Sequence, residues 1–311
     1  MSSLLWLALI AVLSLFVIVK SADYVIAAVI RYSRKTGISD YLIGFLVVAF
    51  GTTLPDIVTS INASLQGVST LVLGDVLGSS ILDMTLVLGL MAIVGRSIPG
   101  DRSLDWKTIL RLFALICLPF VLALDGSVSR IDGIVLIAVF LLYVYSLFRR
   151  EERAGNIKED VPFAHIGMDM LIFVLGMLAL LLAGRWLVFS LVGISQILDL
   201  PVLLIGLFLL SAAMTLPEFV VGIRSVYRRH DVIAFGDLLG AIANNMLFVI
   251  GLAAVIRPIP ISLGHLAVPA AFMLGTLAIG VYFITRKTIT WRQGIMLVAL
   301  YGLFILAEVL W

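Results

Sequence analysis

The chain has 311 residues, of which 62% are hydrophobic and 13% are charged, and its mean hydropathy is +1.19. Soluble domains carry about 25% charged residues, so this composition excludes a soluble protein and indicates an integral membrane protein. The formal net charge of +2 says little about partners, and we expect none that is a nucleic acid.

The apolar runs predict ten membrane-spanning helices. Their approximate bounds are 4–30, 38–65, 71–95, 107–124, 131–148, 168–194, 200–224, 232–256, 264–285 and 290–310. No basic region precedes the first run, so we interpret it as a membrane helix and not as a removed signal peptide. The polar interval between segments five and six predicts two five-helix halves, 1–148 and 168–311, joined by a cytoplasmic linker at 149–167. The single cysteine, Cys117, excludes an intrachain disulfide.

The charges of the loops predict the orientation. Sixteen basic residues lie in loops on one side of the membrane, and only Arg130 and Arg257 lie on the other. Cytoplasmic loops carry the excess of lysine and arginine, so both termini are predicted to lie outside a multi-pass protein of the cell (plasma) membrane. Within the membrane, we expect Asp23 and Arg185 either to pair with each other or to reach lipid headgroups.

One stretch of sequence occurs twice. The first copy is AFGTTLPDIVTS (Ala49–Ser60) with GDVLGSSILDMTLVLGL (Gly74–Leu90), and the second is AAMTLPEFVVG (Ala212–Gly222) with GDLLGAIANNMLFVIGL (Gly236–Leu252). Equivalent positions are 162 residues apart throughout, as in Pro55 and Pro217. An odd number of crossings, five, separates the copies, so they are inverted relative to each other. Inverted repeats with a binding site at the midplane are typical of secondary transporters.

Each copy places a proline and then an acid near the middle of a membrane segment. Pro55 and Pro217 each remove a backbone donor, and such breaks in a membrane helix persist where they line a cavity or an ion site. Asp56 and Glu218 follow at the N-terminus of the second half-helix, where the helix dipole favours a carboxylate. No basic residue lies at comparable depth in segments two, three, seven or eight. The predicted counter-charge is therefore a bound cation or a proton.

Segments three and eight supply facing polar residues. Asp75, Ser79 and Asp83 recur at every fourth position and share one helix face. Their repeat equivalents are Asp237, Ala241 and Asn245, with Asn244 adjacent. Together with the two central acids they predict an all-oxygen cage, and calcium takes about 6–8 such ligands. The sequence has no cluster of histidine or cysteine residues, so we do not expect a zinc or copper site. Asp75 and Asp237 serve either as cation ligands or as residues that brace the broken helices.

The doubled G-T-[ST]-L-P-[ED], each followed by G-[ND]-x-[IL]-G-S, resembles the α-repeats of the cation/calcium exchanger superfamily. The chain looks most like a prokaryotic sodium/calcium exchanger, and the resemblance covers essentially its whole length. It implies that Asp56 and Glu218 are the central calcium ligands and that segments one and six slide against the remaining bundle. It places further ligands at Thr52, Thr53, Thr215, the carbonyl of Ala49, Ser79, Asp83 and Asn245.

The sequence also departs from that family pattern. Met214 and Ala241 replace a threonine and a serine, and Ser211, which we include among the candidate ligands, stands where alanine is common. Methionine and alanine side chains are poor sodium ligands. Asp75 and Asp237 replace the usual asparagines. These differences leave three alternatives open: coupling to protons, fewer sodium ions exchanged per transport cycle, or transport of a divalent ion other than calcium.

The sequence thus predicts an all-α transporter and not an enzyme. Our hypothesis is a secondary antiporter that exchanges Ca²⁺ for Na⁺ or H⁺ by alternating access, without an organic cofactor. The first alternative is a proton-coupled exchanger of Mn²⁺ or Mg²⁺ on the same fold. An intramembrane aspartyl protease and a passive cation channel are less favoured alternatives, because neither needs an inverted repeat of oxygen ligands. The expected partners are inorganic cations and the bilayer, with a monomer as the simplest state.

Overall fold

The structure is a computed structural model, and it describes residues 2–36, 39–65, 67, 69–100, 106–153, 163–197, 215–261, 263–286 and 288–310. The helices are α1 (Ser2–Thr36), α2 (Asp40–Ile43), α3 (Ala49–Thr52), α4 (Leu54–Leu65), α5 (Ser69–Leu82), α6 (Leu88–Gly95), α7 (Trp106–Leu122), α8 (Arg130–Arg153), α9 (Phe163–Ile197), α10 (Leu216–Tyr227), α11 (Asp231–Ala243), α12 (Ile250–Ile256), α13 (Leu263–Ile284) and α14 (Trp291–Leu310). Three π-helical turns, Gly44–Val48, Asp83–Val87 and Asn244–Val249, join consecutive helices, and a 3₁₀ turn, Ala123–Asp125, follows α7. The strands are β1 (Ser97–Pro99), β2 (Ser127–Val128), β3 (Ile259–Pro260) and β4 (Thr288–Thr290).

The predicted helical membrane architecture is confirmed. Six spans in the described part of the chain are long and apolar enough to cross a bilayer: Leu4–Tyr32, Val72–Gly95, Lys107–Asp125, Arg130–Arg149, Asp231–Ile256 and Ala267–Ile284. Shorter apolar helices occupy segments two, six and ten, at Tyr41–Thr52, Gly167–Ala183 and Trp291–Ala307. The first part of segment seven lies outside the described residues. α8 and α9 both extend into the interval that we assigned to the linker.

Two small antiparallel ribbons, which the sequence did not predict, join the halves of the chain. Ser97 of β1 pairs with Thr290 of β4, and Ser127 of β2 pairs with Pro260 of β3. The repeat spacing relates β1 to β3 and β2 to β4, so one ribbon is the inverted equivalent of the other. The loops of the first ribbon are rich in basic residues, whereas the only basic residues in those of the second are Arg130 and Arg257, as expected for ribbons on opposite sides of a membrane.

Close glycine contacts follow the same symmetry. A Cβ atom on Gly89 of α6 would lie 2.8 Å from the carbonyl oxygen of Gly294 on α14. On the other side of the repeat, a Cβ atom on Gly133 of α8 would lie 2.6 Å from the carbonyl oxygen of Gly251 on α12. Each half therefore packs helix backbone directly against the other half, and small residues make this approach feasible between membrane helices.

A third close contact positions the centre of the molecule. A Cβ atom on Gly44 would lie 2.5 Å from the carbonyl oxygen of Ile233, so the π-helical turn after α2 touches the backbone of α11. Gly236 and Gly240 of α11 lie equally close to the backbone at Tyr41 and Phe45. This seam fixes α11 against the helix that leads to the first break and so sets the position of Asp237.

The two 35-residue helices, α1 and α9, pack against each other at the side of this bundle. Ile18, Ala22 and Ile26 of α1 form an apolar cluster with Leu180 of α9 and Val221 of α10. Ionic contacts close the end of this pair, since Asp169 accepts from Arg31 and Lys35, both at 2.6 Å. α1 and α9 thus form a pair that contacts the bundle mainly through α10 and α2.

Asp23 does not pair with Arg185, which corrects one of the two expectations for these residues. Its carboxylate forms ion pairs with Arg224 of α10 and with Arg228, the latter at 3.1 Å. Arg185 is exposed on the surface of α9. The inverted-repeat relation between positions 23 and 185 predicts equivalent depths on opposite sides of the midplane, which favours partners on the same side over a pair between these two residues.

Candidate cation-binding site

The first helix break lies at Thr53, between α3 and α4, and its repeat equivalent is Thr215 at the start of α10. The backbone dihedrals are φ −83°, ψ 2° at Thr53 and φ −87°, ψ 2° at Thr215. Both residues therefore have nearly the same non-helical dihedrals directly before the Leu-Pro pair, although the residues before Thr215 lie outside the described chain. The structure thus shows the first predicted break between two helices, and at the second it shows the helix that begins after Thr215 with the same local conformation.

Asp56 and Glu218 lie in the first turn of the helices that start at these breaks. Their residues are 3% and 2% exposed, respectively. The two carboxylates lie within electrostatic range of each other, so the structure brings them together as the sequence predicted. Among the described residues, neither acid forms an ion pair with a lysine or arginine; the ion pairs there involve Asp23 and Asp169.

The hydroxyl groups at the first break converge on one carbonyl. The Oγ1 atoms of Thr52 and Thr53 lie 3.0 Å and 2.9 Å from the carbonyl oxygen of Ala49. The backbone N–H of Thr53 donates to the same oxygen at 3.0 Å. Three of the candidate ligand residues are therefore adjacent, but in this arrangement their hydroxyls donate to protein. They present their oxygen lone pairs, and not their protons, to any ion.

Segments three and eight face these residues as predicted. The side-chain amide of Asn245 donates to Asp56 Oδ2 at 3.1 Å and lies 3.4 Å from Ser79 Oγ, and Asn244 donates to Thr53 Oγ1. A π-helical turn begins at Asp83 in segment three and at Asn244 in segment eight. Such turns widen a helix by one residue and occur often at functional sites. In the register of the repeat the two turns begin one residue apart, since Asp83 is equivalent to Asn245.

Six buried side-chain oxygens of this region have no hydrogen-bond partner among the described residues. They are Asp56 Oδ1, Asp83 Oδ1, Glu218 Oε2, Asp237 Oδ2, Asn244 Oδ1 and Asn245 Oδ1. All six are acceptors, and buried acceptors without partners are costly. A bound cation would satisfy several of them at once. Among the described residues, no group of three or more acids, histidines or cysteines is placed so that it could hold a metal ion. The six unpartnered oxygens come from four acids and two asparagines.

The remaining candidate residues are acids of differing burial, a position without a side-chain oxygen, and residues outside the described chain. Asp237 is fully buried, and the Thr52 hydroxyl lies 3.3 Å from its Oδ1, whereas Asp75 is only partly buried. Ala241 is buried and brings no oxygen side chain to the position equivalent to Ser79. Ser211 and Met214 lie outside the described residues. The sequence placed Asn244 only beside the site and missed its contact with Thr53, which depends on the π-helical turn.

Comparison with known proteins gives a consistent result. The family model described as sodium/calcium exchanger protein matches residues 6–149 and 168–310. Inner membrane protein YrbG of Escherichia coli (strain K12) is 31% identical over 262 residues, which cover 79% of this chain and 79% of that protein. Sodium/calcium exchanger MaX1 of Methanosarcina acetivorans is 24% identical over 339 residues, covering 96% of this chain and 97% of that protein.

A solved structure shows the same architecture. The sodium-calcium exchanger NCX_Mj, soaked with 10 mM Na⁺ and 10 mM Sr²⁺, aligns with a TM-score of 0.84 at 25% identity. The alignment covers 97% of this chain and 98% of that chain. The resemblance inferred from the doubled motif is thereby confirmed, and the match of the family model to both halves identifies the protein as a transporter and not an enzyme. The chain belongs to the sodium/calcium exchanger family of membrane cation exchangers.

Proposed function

We propose that the protein is a secondary antiporter that moves Ca²⁺ across the membrane in exchange for Na⁺ or H⁺ by alternating access. Asp56 and Glu218 are the shared cation ligands. The observation that carries this proposal is the pair of buried carboxylates, one from each inverted half, that lie near each other without a basic partner in the described chain. The names of the relatives support it, since MaX1 is called a sodium/calcium exchanger.

The coupling follows from the charge of the site. An ionised carboxylate near the bilayer centre costs about 2.5–3.5 kcal/mol on insertion scales, so a site with several such groups is unfavourable when empty. One divalent ion, or monovalent ions or protons in its place, would remove that cost. Because the same acids bind both ions, the conformational change proceeds with either ion bound and is hindered with neither. Exchange, and not leakage, is the result.

The topology complements this proposal. We place both termini outside the plasma membrane, with the halves at 1–148 and 168–311 and the linker at 149–167 in the cytoplasm. The β1–β4 ribbon then lies at the cytoplasmic surface and the β2–β3 ribbon at the outer surface. α1 and α9, which pack on each other at the side of the bundle, are the elements whose movement would alternate access.

A proton-coupled exchanger of Mn²⁺ or Mg²⁺ is the second candidate. One observation favours it: Ala241 is buried where the first half places Ser79, so the second copy lacks a hydroxyl for a monovalent ion at this point. The site is at the same time rich in carboxylates, which hold hard divalent ions and accept protons.

Transport into vesicles tests these alternatives. Purified protein in liposomes should take up Ca²⁺ when an outward gradient of Na⁺ or of H⁺ is imposed, and uptake should stop when that gradient is removed. Uptake of Mn²⁺ or Mg²⁺ driven only by a pH gradient would support the second candidate instead. Uptake at a rate that neither the Na⁺ gradient nor the pH gradient changes would contradict antiport. The Asp125→Asn variant, which changes an acid on an exposed loop, serves with protein-free vesicles as the control.

A further inference from the structure

The carboxylate of Asp237 is buried in the site and has few hydrogen-bond partners. Asp237 is fully buried on α11, and its Oδ2 atom has no hydrogen-bond partner among the described residues. Its Oδ1 atom lies 3.3 Å from Thr52 Oγ1, but that hydroxyl is closer, at 3.0 Å, to the carbonyl oxygen of Ala49. A hydroxyl has one proton, so these two acceptors compete for it.

The surroundings of Asp237 add negative and not positive charge. Glu218 and Asp83 lie within electrostatic range of it, whereas the described ion pairs involve only Asp23 and Asp169. The glycines on either side, Gly236 and Gly240, hold α11 against the backbone of the first half, so Asp237 cannot withdraw with its helix. A fixed, buried and under-satisfied carboxylate of this kind needs a cation or a proton to balance its charge.

We propose that Asp237 sets the ion preference of the site, its charge favouring a divalent cation over Na⁺. This inference rests on the proposed exchange function and assigns Asp237 the first of the two roles that the sequence left open. A brace for the helix break would need only the contact with Thr52, which an asparagine amide of the same shape makes equally well. A charge is required only if Asp237 acts on the ion.

Coulomb's law makes the proposal quantitative. The interaction of a fixed charge with an ion is proportional to the charge of the ion, so removing the carboxylate costs a divalent ion twice the free energy that it costs Na⁺. Binding constants depend exponentially on free energy, so a loss of about threefold for Na⁺ corresponds to about tenfold for Ca²⁺. A substitution that only alters the shape of the site is not expected to give this twofold ratio between the free-energy losses for Ca²⁺ and Na⁺.

The test is a titration of purified protein with Ca²⁺ and with Na⁺, for the wild type, Asp237→Asn and Asp237→Glu. We expect Asp237→Asn to weaken Ca²⁺ binding by about tenfold and Na⁺ binding by about threefold, while its thermal transition stays near that of the wild type. Asp237→Glu keeps the charge and should keep the preference for Ca²⁺ over Na⁺, even if both affinities fall. The same comparison with Asp75→Asn shows whether the equivalent acid of the first half, which is only partly buried, contributes less.

Each other outcome overturns the proposal. If Asp237→Asn binds both ions as the wild type does, Asp237 is only a brace. If it loses both affinities by the same factor, or if Asp237→Glu loses the divalent preference as well, the shape of the residue matters and its charge does not. In these cases the wild type still binds a divalent ion, and the proposed exchange function stands. A wild type that binds neither Ca²⁺, Mn²⁺ nor Mg²⁺ would instead reject the proposed function itself.

Discussion

The side-chain amide of Asn245 donates a hydrogen bond of 3.1 Å to Oδ2 of Asp56. The bond joins the second half of the chain to the acid of the first half, and it leaves Oδ1 of that acid without a partner in the described residues. One oxygen is thus held in place while the other stays available to a cation. The amide oxygen of Asn245 is itself unpartnered there, so donor and acceptor ends of this side chain have separate roles.

Replacing Asn245 by alanine should therefore weaken divalent binding. A hydrogen bond to a charged group contributes about 1.5–3 kcal/mol, so we expect the dissociation constant for Ca²⁺ to rise by about tenfold or more. Ser80→Ala is the matched control, because the Ser80 hydroxyl is equally buried but donates only to the carbonyl oxygen of Val76 at 2.7 Å. Equal affinities of Asn245→Ala and Ser80→Ala would show that the amide does not organise the site.

The glycine seam predicts a local loss of stability. A methyl group at Gly240 would meet the backbone of Phe45, so Gly240→Ala must push α11 away from the first half. Overpacking of this kind costs about 1–3 kcal/mol, which should appear as a lower midpoint of thermal unfolding and as weaker ion binding. Gly302→Ala, where a Cβ atom meets nothing within 4 Å, should unfold at the same temperature or slightly higher. Identical behaviour of the two variants would mean that the seam is not tight.

The ion pairs of Asp23 predict a difference in local opening. They attach α1 to α10, whereas the repeat-equivalent residues on the other side are Arg185, Asn62 and Gln66, which offer no opposite charges. The side chains of Asp23, Arg224 and Arg228 are partly exposed. Their ion pairs therefore stabilise the contact between α1 and α10 by about 1 kcal/mol at most, which is about fivefold in the equilibrium constant for local opening. Hydrogen exchange at the ends of α1 and α10 near Arg31 and Arg224 should accelerate in Asp23→Asn by up to that factor. Asp125→Asn should leave the exchange rate unchanged. No acceleration in Asp23→Asn would show that the ion pairs of Asp23 do not stabilise the contact between α1 and α10.

The proposed orientation can be tested by labelling single cysteines. Cys117 is the one native cysteine, so it is first replaced by alanine. A cysteine at Arg130, which is exposed beside the β2–β3 ribbon, should react with an impermeant reagent applied to intact cells. A cysteine at Arg292, exposed beside the β1–β4 ribbon, should react only after the membrane is opened. The reverse pattern would invert the topology that the loop charges predict.

The elements that the sequence predicted well are those determined by composition and by rare residues. Apolar length gave the membrane segments because a bilayer requires helices of a fixed span. The prolines predicted the helix break at Thr53, and the structure has matching dihedrals at the repeat-equivalent residue Thr215, where the second described helix begins. The approach of Asp56 to Glu218 followed from the inversion of the copies, which is a property of topology and needs no side-chain detail.

The features that were missed depend on packing between the halves. The ribbons involve two or three residues per strand, too few for a periodic signal in the sequence. The π-helical turn that brings Asn244 to Thr53 adds one residue to a helical turn without any signature in the apolar pattern. The partners of Asp23 were missed because the repeat predicts only how deep a residue lies in the membrane and on which side. Its contacts depend on which helix lies next to it.

The central claim is that Asp56 and Glu218 bind one divalent cation between the two halves. Ca²⁺ binding to the purified protein, measured for the wild type, Asp56→Asn, Glu218→Gln and the exposed-loop control Asp125→Asn, tests it most directly. We predict saturable binding that Na⁺ or protons displace in the wild type and in the control, and loss of at least about 100-fold in affinity in either site variant, because a direct charge on the ion is removed. Folded Asp56→Asn and Glu218→Gln proteins that bind Ca²⁺ as the wild type does would contradict the claim.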